Sequence, residues 1–249
     1  MIPNELYTLG FHHTCSVDKP EHNGITYARD ITNLMKLAAM DKRVFAFVPT
    51  GWRDILHSDP NCNVSRLPYN VTIRECEDPI LEWALIHNEI HQVRLAAPND
   101  IDLSAVIHPT AVVGVDGARY LERNDTIIPI AHIGNVVIRS SVFIGANTVI
   151  ERGLIDSTII HQGVRIGNLC LVGHNTEVGP DCIVTACVHI AGSCKIGANS
   201  WLGIGSVIRN GIELCDHVML GCGAVAVKDI KEPGVFVGNP ARFLRAAAP

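Results

Sequence analysis

From Ile160 onward the apolar positions recur at every sixth residue: Ile160, Ile166, Val172, Val178, Val184, Ile190, Ile196, Leu202, Ile208, Leu214, Leu220 and Ala226. Eleven of these twelve are Val, Ile or Leu, so the period belongs to the whole segment. Six fits neither the 3.6-residue period of an α-helix nor the alternation of a strand. It fits a prism in which each hexad forms one flat face and three hexads close a coil. Successive coils would then stack at the ~4.8 Å spacing of hydrogen-bonded strands. The residue after the inward position is often glycine, as at Gly167, Gly173, Gly179, Gly197, Gly203 and Gly221, and is expected to help the chain turn the corner. Two places before it stand small or β-branched residues, among them Cys170, Cys182 and Cys194, expected as small core fillers.

The same register runs back through Ile150, Ile144 and Ile138, with a four-residue slip between Ile150 and Ile160, and Ile107 and Val113 suggest one earlier hexad. Residues 114–130 break the period and are expected to form an inserted loop. Residues 1–100 show no such repeat. There VFAFV at 44–48 predicts a buried strand, Ile31 to Met40 a short helix, and Asp78-Pro79 a capped helix start. The chain therefore divides into a small α/β domain over 1–100 and a repeat domain over 101–249.

Composition narrows the function. Of 249 residues 47% are hydrophobic but only 5% aromatic; charged residues are 18% and the net charge is −5. That excludes disorder and the broad basic surface of a nucleic-acid binder. No apolar run is long enough to span a bilayer, and the N-terminus lacks the basic start and apolar core of a signal peptide. Nine cysteines without a CxxC pair suit reduced thiols in the cytoplasm.

In a rigid prism, positions 18 apart are stacked neighbours, and one column carries chemistry: Asp156, His174 and Gly192. His174 falls at a corner, where a side chain can point outward. Asp156 one coil below would orient the imidazole, and the Gly192 N–H one coil above would hold an oxyanion. His161, His189 and His217 read as solvated surface side chains. His87 and His91 share a helix face, but the HNEIH segment is not a zinc-protease motif, so no metal is expected.

The hexad pattern resembles the hexapeptide-repeat acyltransferases over roughly residues 105–245. The resemblance implies a mainly β fold, a left-handed parallel β-helix. VGHNTEVG at 172–179, HIAGSCKIG at 189–197 and IGANTVIERG at 144–153 are similar to the UDP-3-O-acylglucosamine N-acyltransferases. There the His of the His-Asn pair is the catalytic base, which implies that role for His174, with Asn175 beside it expected to bind substrate. GITYARDITN at 24–33 is similar to the uridine-binding segment of that family, implying that Tyr27 stacks on a base and Asp30 reads its edge.

Two departures change what is implied. A second family histidine aligns with Gly211, and the C-terminal EPGVFVGNPAR at 232–242 resembles coenzyme A–dependent sugar and serine acetyltransferases. The resemblance thus implies acyl transfer, most simply acetyl transfer, from acyl-CoA to the amine of a nucleotide-linked amino sugar, within a homotrimer and without a resident cofactor. The donor would lie near Gly192, Gly203, Gly205, Ala224 and Lys228. Alternatives are a carrier-protein-dependent lipid A–type enzyme, an O-acetyltransferase, a γ-type carbonic anhydrase and a noncatalytic β-helix module.

Overall fold

The computed structural model describes residues 13–15, 24–28, 44–50, 71–91, 97–123 and 125–246. It divides into two compact units, one of Met1–Leu95 with Arg119–Ala131 and one of Ala96–Ala118 with His132–Pro249.

The larger unit is a parallel β-helix with three faces. The first face stacks the strands Asp100–Ile101, Val136–Ile138, Thr158–Ile160, Glu177–Val178, Lys195–Ile196 and Glu213–Leu214. The second runs from Val106–Ile107 up to Gly234–Val237, where Arg242–Arg245 adds an antiparallel strand. The third runs from Val112–Val115 through Leu171–Val172 and His189–Ile190 to Val225–Ala226. Pairings such as Ile183 with Trp201 set an 18-residue coil, whereas Phe143 pairs with Arg165 and with Val106, so the earlier coils are longer. Their extra residues fall where the apolar period breaks.

Every inward Ile, Val and Leu of the hexad series from Ile160 to Leu220 is at most 3% exposed, and together they fill the interior. Cys170, Cys182 and Cys194 sit among them. The glycines directly after the inward positions, however, do not turn the corners. Gly173 is typical: its φ is not in the left-handed region, and a Cβ there would lie 2.5 Å from Gly192 N in the next coil. Close approach of stacked backbones is what requires it. The left-handed turn comes two residues later, at Asn147, Leu169, Asn175, Asp181, Cys187, Ser193 and Asn199 with φ of 54–59°, and at Gly163, Gly205, Gly211 and Gly223 with φ of 66–74°.

The smaller unit holds a parallel sheet in the order β1 (His13–Thr14), β2 (Gly24–Tyr27), β3 (Val44–Pro49) and β4 (Val71–Cys76). Helix α1 (Pro79–His91) packs on β2 and β3. Asp78 caps it, its Oδ1 accepting from Leu81 N at 3.1 Å, and Pro79 opens the first turn. Burial would raise the Asp78 carboxyl, but hydrogen bonds from Arg123 and from the helix N–H groups hold it below the usual range. Arg123 belongs to a hairpin, Tyr120–Arg123 against Thr126–Pro129, which occupies the segment expected as a loop. The helix expected over 31–40 lies outside the described residues. Among the described residues no helix is long and apolar enough to cross a membrane.

Candidate active site

The corner between the third and first faces brings together the candidate residues His174 and Gly192. His174 follows the strand Leu171–Val172, and Gly192, Asn210 and Lys228 occupy the same corner in successive coils above it. His174 is only 8% exposed yet stands apart from the apolar interior, its ring lying against the backbone of the coil above. A Cβ on Gly192 would fall 2.5 Å from Nε2 and 2.7 Å from Cε1. Glycine at 192 is what makes room for the ring.

The tautomer of His174 follows from its neighbours. Asn175 Oδ1 accepts from Leu154 N at 2.9 Å, which fixes that atom as the oxygen of the amide. It also meets His174 Nδ1 at 3.1 Å. An oxygen can only accept there, so Nδ1 carries a proton and in the neutral ring Nε2 presents its lone pair on the side of Gly192. Asn175 is anchored in turn: its N–H donates to Thr158 Oγ1 at 2.9 Å, and Nδ2 reaches Asp156 O at 3.4 Å. Above, the Asn210 amide, turned with its nitrogen toward the coil below, donates to Gly192 O at 2.9 Å. Among the described residues the Gly192 N–H meets no acceptor, and Gly192 itself is buried beneath the His174 ring.

Below His174 lie three residues that the repeat did not point to. Glu151 Oε2 accepts from His174 N at 3.0 Å. The His132 ring meets that of His174 edge-on, with centroids 5.4 Å apart. Gly117 passes over both: a Cβ on it would lie 2.6 Å from Glu151 Oε2, 3.0 Å from His174 Cδ2 and 3.1 Å from His132 Nε2. The available signal was the breakdown of the repeat itself, since all three border the slip or the insertion.

The other candidates are distributed as follows. Asp156 is half-buried on the four-residue slip and reaches the site through its backbone carbonyl; no hydrogen bond joins its carboxylate to His174 among the described residues. The extra residues of that coil take position 156 out of the regular ladder. Gly203 is buried against the backbone of the next coil, and Gly205 turns at φ 69°. Ala224 is fully buried in the core, so its side chain faces no ligand. Lys228 is exposed and borders a recess of about 240 Å³ with Lys231, Arg242, Phe236 and Phe243. Tyr27 ends β2 with its ring edge-on to Trp83 at 5.4 Å, while Asp30 lies outside the described residues. His87 is buried and stacked on Trp83, and His161 pairs with Glu177 at 2.7 Å. No group of three His, Cys, Asp or Glu side chains among the described residues is placed to hold a metal ion.

No family model matches the chain. It is 37% identical over 131 residues to the UDP-3-O-acylglucosamine N-acyltransferase of Delftia acidovorans, covering 53% of this chain and 39% of that enzyme. It is 37% identical over 142 residues to the same enzyme of Hahella chejuensis, covering 57% and 41%. Over more than half of its length the chain is similar to the UDP-3-O-acylglucosamine N-acyltransferases. It spans about two fifths of their length. A crystal structure of a UDP-N-acetylglucosamine acyltransferase superposes with a TM-score of 0.53 at 20% identity, over 58% of this chain and 54% of that one. That likeness is one of fold, a left-handed parallel β-helix built of hexapeptide repeats.

Proposed function

We propose that the protein is an N-acyltransferase that moves an acyl group from a thioester donor to the amine of a nucleotide-linked amino sugar. The observation that carries this reading is the His174 ring packed against Gly192, with Nε2 2.5 Å from where a Cβ there would stand and the Gly192 N–H meeting no acceptor among the described residues. The neutral amine attacks the thioester carbonyl, and Nε2 takes the proton that the nitrogen must lose. The Gly192 N–H donates to the carbonyl oxygen as it becomes an oxyanion. Collapse of the tetrahedral intermediate restores the carbonyl and expels the thiolate, which the imidazolium protonates. The products are the amide and the free thiol. Asn175 keeps the imidazole in the tautomer that this sequence needs.

The donor that fits is acyl-CoA, with acetyl as the simplest group. Lys228 stands two coils above Gly192 on the same corner, ~10 Å away at the usual strand spacing. There Lys228, Lys231 and Arg242 offer cations for phosphates beside the rings of Phe236 and Phe243. A second reading takes the acceptor that the relatives' name gives, an acylated UDP-glucosamine, and pairs it with an acyl carrier protein as the donor of a longer chain. Tyr27 and Asp30 are the residues assigned to the nucleotide base.

The assembly that fits is a homotrimer. The second face exposes Val106, Phe143 and Trp201 at 59%, 39% and 44%, and the third exposes Val112, while the first carries the ion pair Lys195–Glu213. Two different apolar faces on one chain can meet each other around a closed ring. The protein is assigned to the cytoplasm, where these donors are found.

The test is mass spectrometry of the products formed from UDP- and dTDP-amino sugars with a panel of acyl-CoAs and acyl carrier proteins. The expected product is a sugar amide, formed roughly 100-fold or more slowly by His174→Ala. Absence of transfer from every donor, or unimpaired turnover by His174→Ala, overturns the reading.

A further inference from the structure

We propose that Glu151 is a positioning residue for His174; the inference rests on the reading of His174 as the general base. At the third-face corner the residue after the inward position is Gly173, Ala191, Arg209 and Val227 in the later coils. At the end of Val149–Glu151, one coil below Gly173, it is a carboxylate. The strand Val149–Glu151 pairs with Val112–Val115, and the register shifts between Ile150 and Glu151. Such an irregularity re-aims the side chains that follow it. Here Arg152 turns back to Gly114 O at 2.6 Å and Asp116 at 3.3 Å. Glu151 is left to reach up one coil, where Oε2 accepts from the His174 N–H at 3.0 Å.

That bond engages the one backbone donor of the base residue. Asn175 fixes the ring by its Nδ1, and Glu151 fixes the main chain from which the ring hangs. With both in place, Nε2 is held beside Gly192. With Glu151 removed, the corner can rock while the ring still keeps its tautomer. Gly117 lets the carboxylate approach, since it lacks the Cβ that would crowd Oε2. Glu151 thus works through His174 and is assigned no contact with substrate.

The experiment compares Glu151→Ala and Glu151→Gln in the full chain, each alone and with His174→Ala. Glu151→Ala is expected to lower kcat roughly 10- to 100-fold, the scale of a small misplacement of a catalytic group. KM should stay within about twofold, because no substrate contact is lost. The Gln side chain keeps an oxygen that can accept the same N–H, so that variant should return to within about fivefold of the wild type. In the His174→Ala background Glu151→Ala should change the rate by less than about twofold, since residues acting as one unit are not additive. Independently of turnover, hydrogen exchange of the His174 amide should be at least about tenfold faster in Glu151→Ala at an unchanged Tm.

Additive losses, a Gln variant as impaired as the Ala variant, or unchanged amide exchange would overturn the proposal. Failure of the acyltransferase reading is distinct: it appears as a wild-type chain that transfers nothing, and amide exchange still decides whether Glu151 holds His174.

Discussion

The imidazole of His174 occupies the space that a side chain on residue 192 would need, with Nε2 only 2.5 Å from where that Cβ would stand. Gly192 does not have a positive φ, so the backbone itself tolerates alanine. The methyl group would instead displace the ring from its place against Gly192. Gly192→Ala is therefore expected to lower kcat roughly 100-fold while Tm falls by no more than about 3 °C. Steady-state kinetics with a thermal melt separate the two effects. A fully active Gly192→Ala enzyme would remove the base–donor pair from the mechanism.

Asn175 combines a left-handed φ of 58° with an oxygen that serves both Leu154 N and His174 Nδ1. Asn175→Gly keeps the backbone conformation and deletes the oxygen. It should reduce kcat roughly 10- to 100-fold at little cost in stability. Asn175→Asp retains an acceptor in the same place and should lose less. The comparison is made by kcat at constant pH. Equal losses in the two variants would show that the acceptor does not set the tautomer.

The fold was legible because the hexad period is a direct image of the coil: Val172 sits under Ile190 because eighteen residues make three faces. His174 was legible for the same reason, being placed by that register beneath Gly192. What surrounds His174 was not. Glu151, His132 and Gly117 reach it through a register shift and through chain that leaves the repeat, where no period indicates which residues meet. Asp156 shows the opposite side of the same limit. Its spacing of 18 from His174 assumes a regular coil, but Val149 pairs with Leu171, 22 residues on, and its carboxylate makes no bond to the ring. The glycines after the inward positions serve close packing rather than turning, and the two demands leave the same residue in the sequence.

Ile190 is the fully buried inward residue of the coil that carries Gly192. Ile190→Ala removes most of a side chain that stacks between Val172 and Ile208. The rigid walls of a β-helix can collapse only partly onto the space, so the cost should be about 2–5 kcal/mol. Urea unfolding measures it. A change below about 1 kcal/mol would mean that the interior is less closely packed than its burial indicates.

The core thiols make stability depend on pH at the alkaline end. Burial pushes the Cys182 thiol up from 9.0 to about 11, although a backbone hydrogen bond from Ser200 works the other way. Cys170 and Cys194 are raised for the same first reason. A thiol raised in the folded state stays protonated there while the unfolded chain ionises. Its contribution is therefore complete below the unfolded value of 9.0 and is lost as pH climbs toward 11. For Cys182 the slope is roughly 1.4 kcal/mol per pH unit across that window. Cys182→Ser replaces the thiol with a hydroxyl that does not titrate and that can donate to Gly197 O, as Sγ does at 3.1 Å. Whatever the substitution costs at pH 8, the gap between variant and wild type should narrow steadily from pH 9 to 11 in urea unfolding. A gap that stays constant would place the ionisation of Cys182 outside the stability of the fold, and leave the other titrating groups to account for alkaline unfolding.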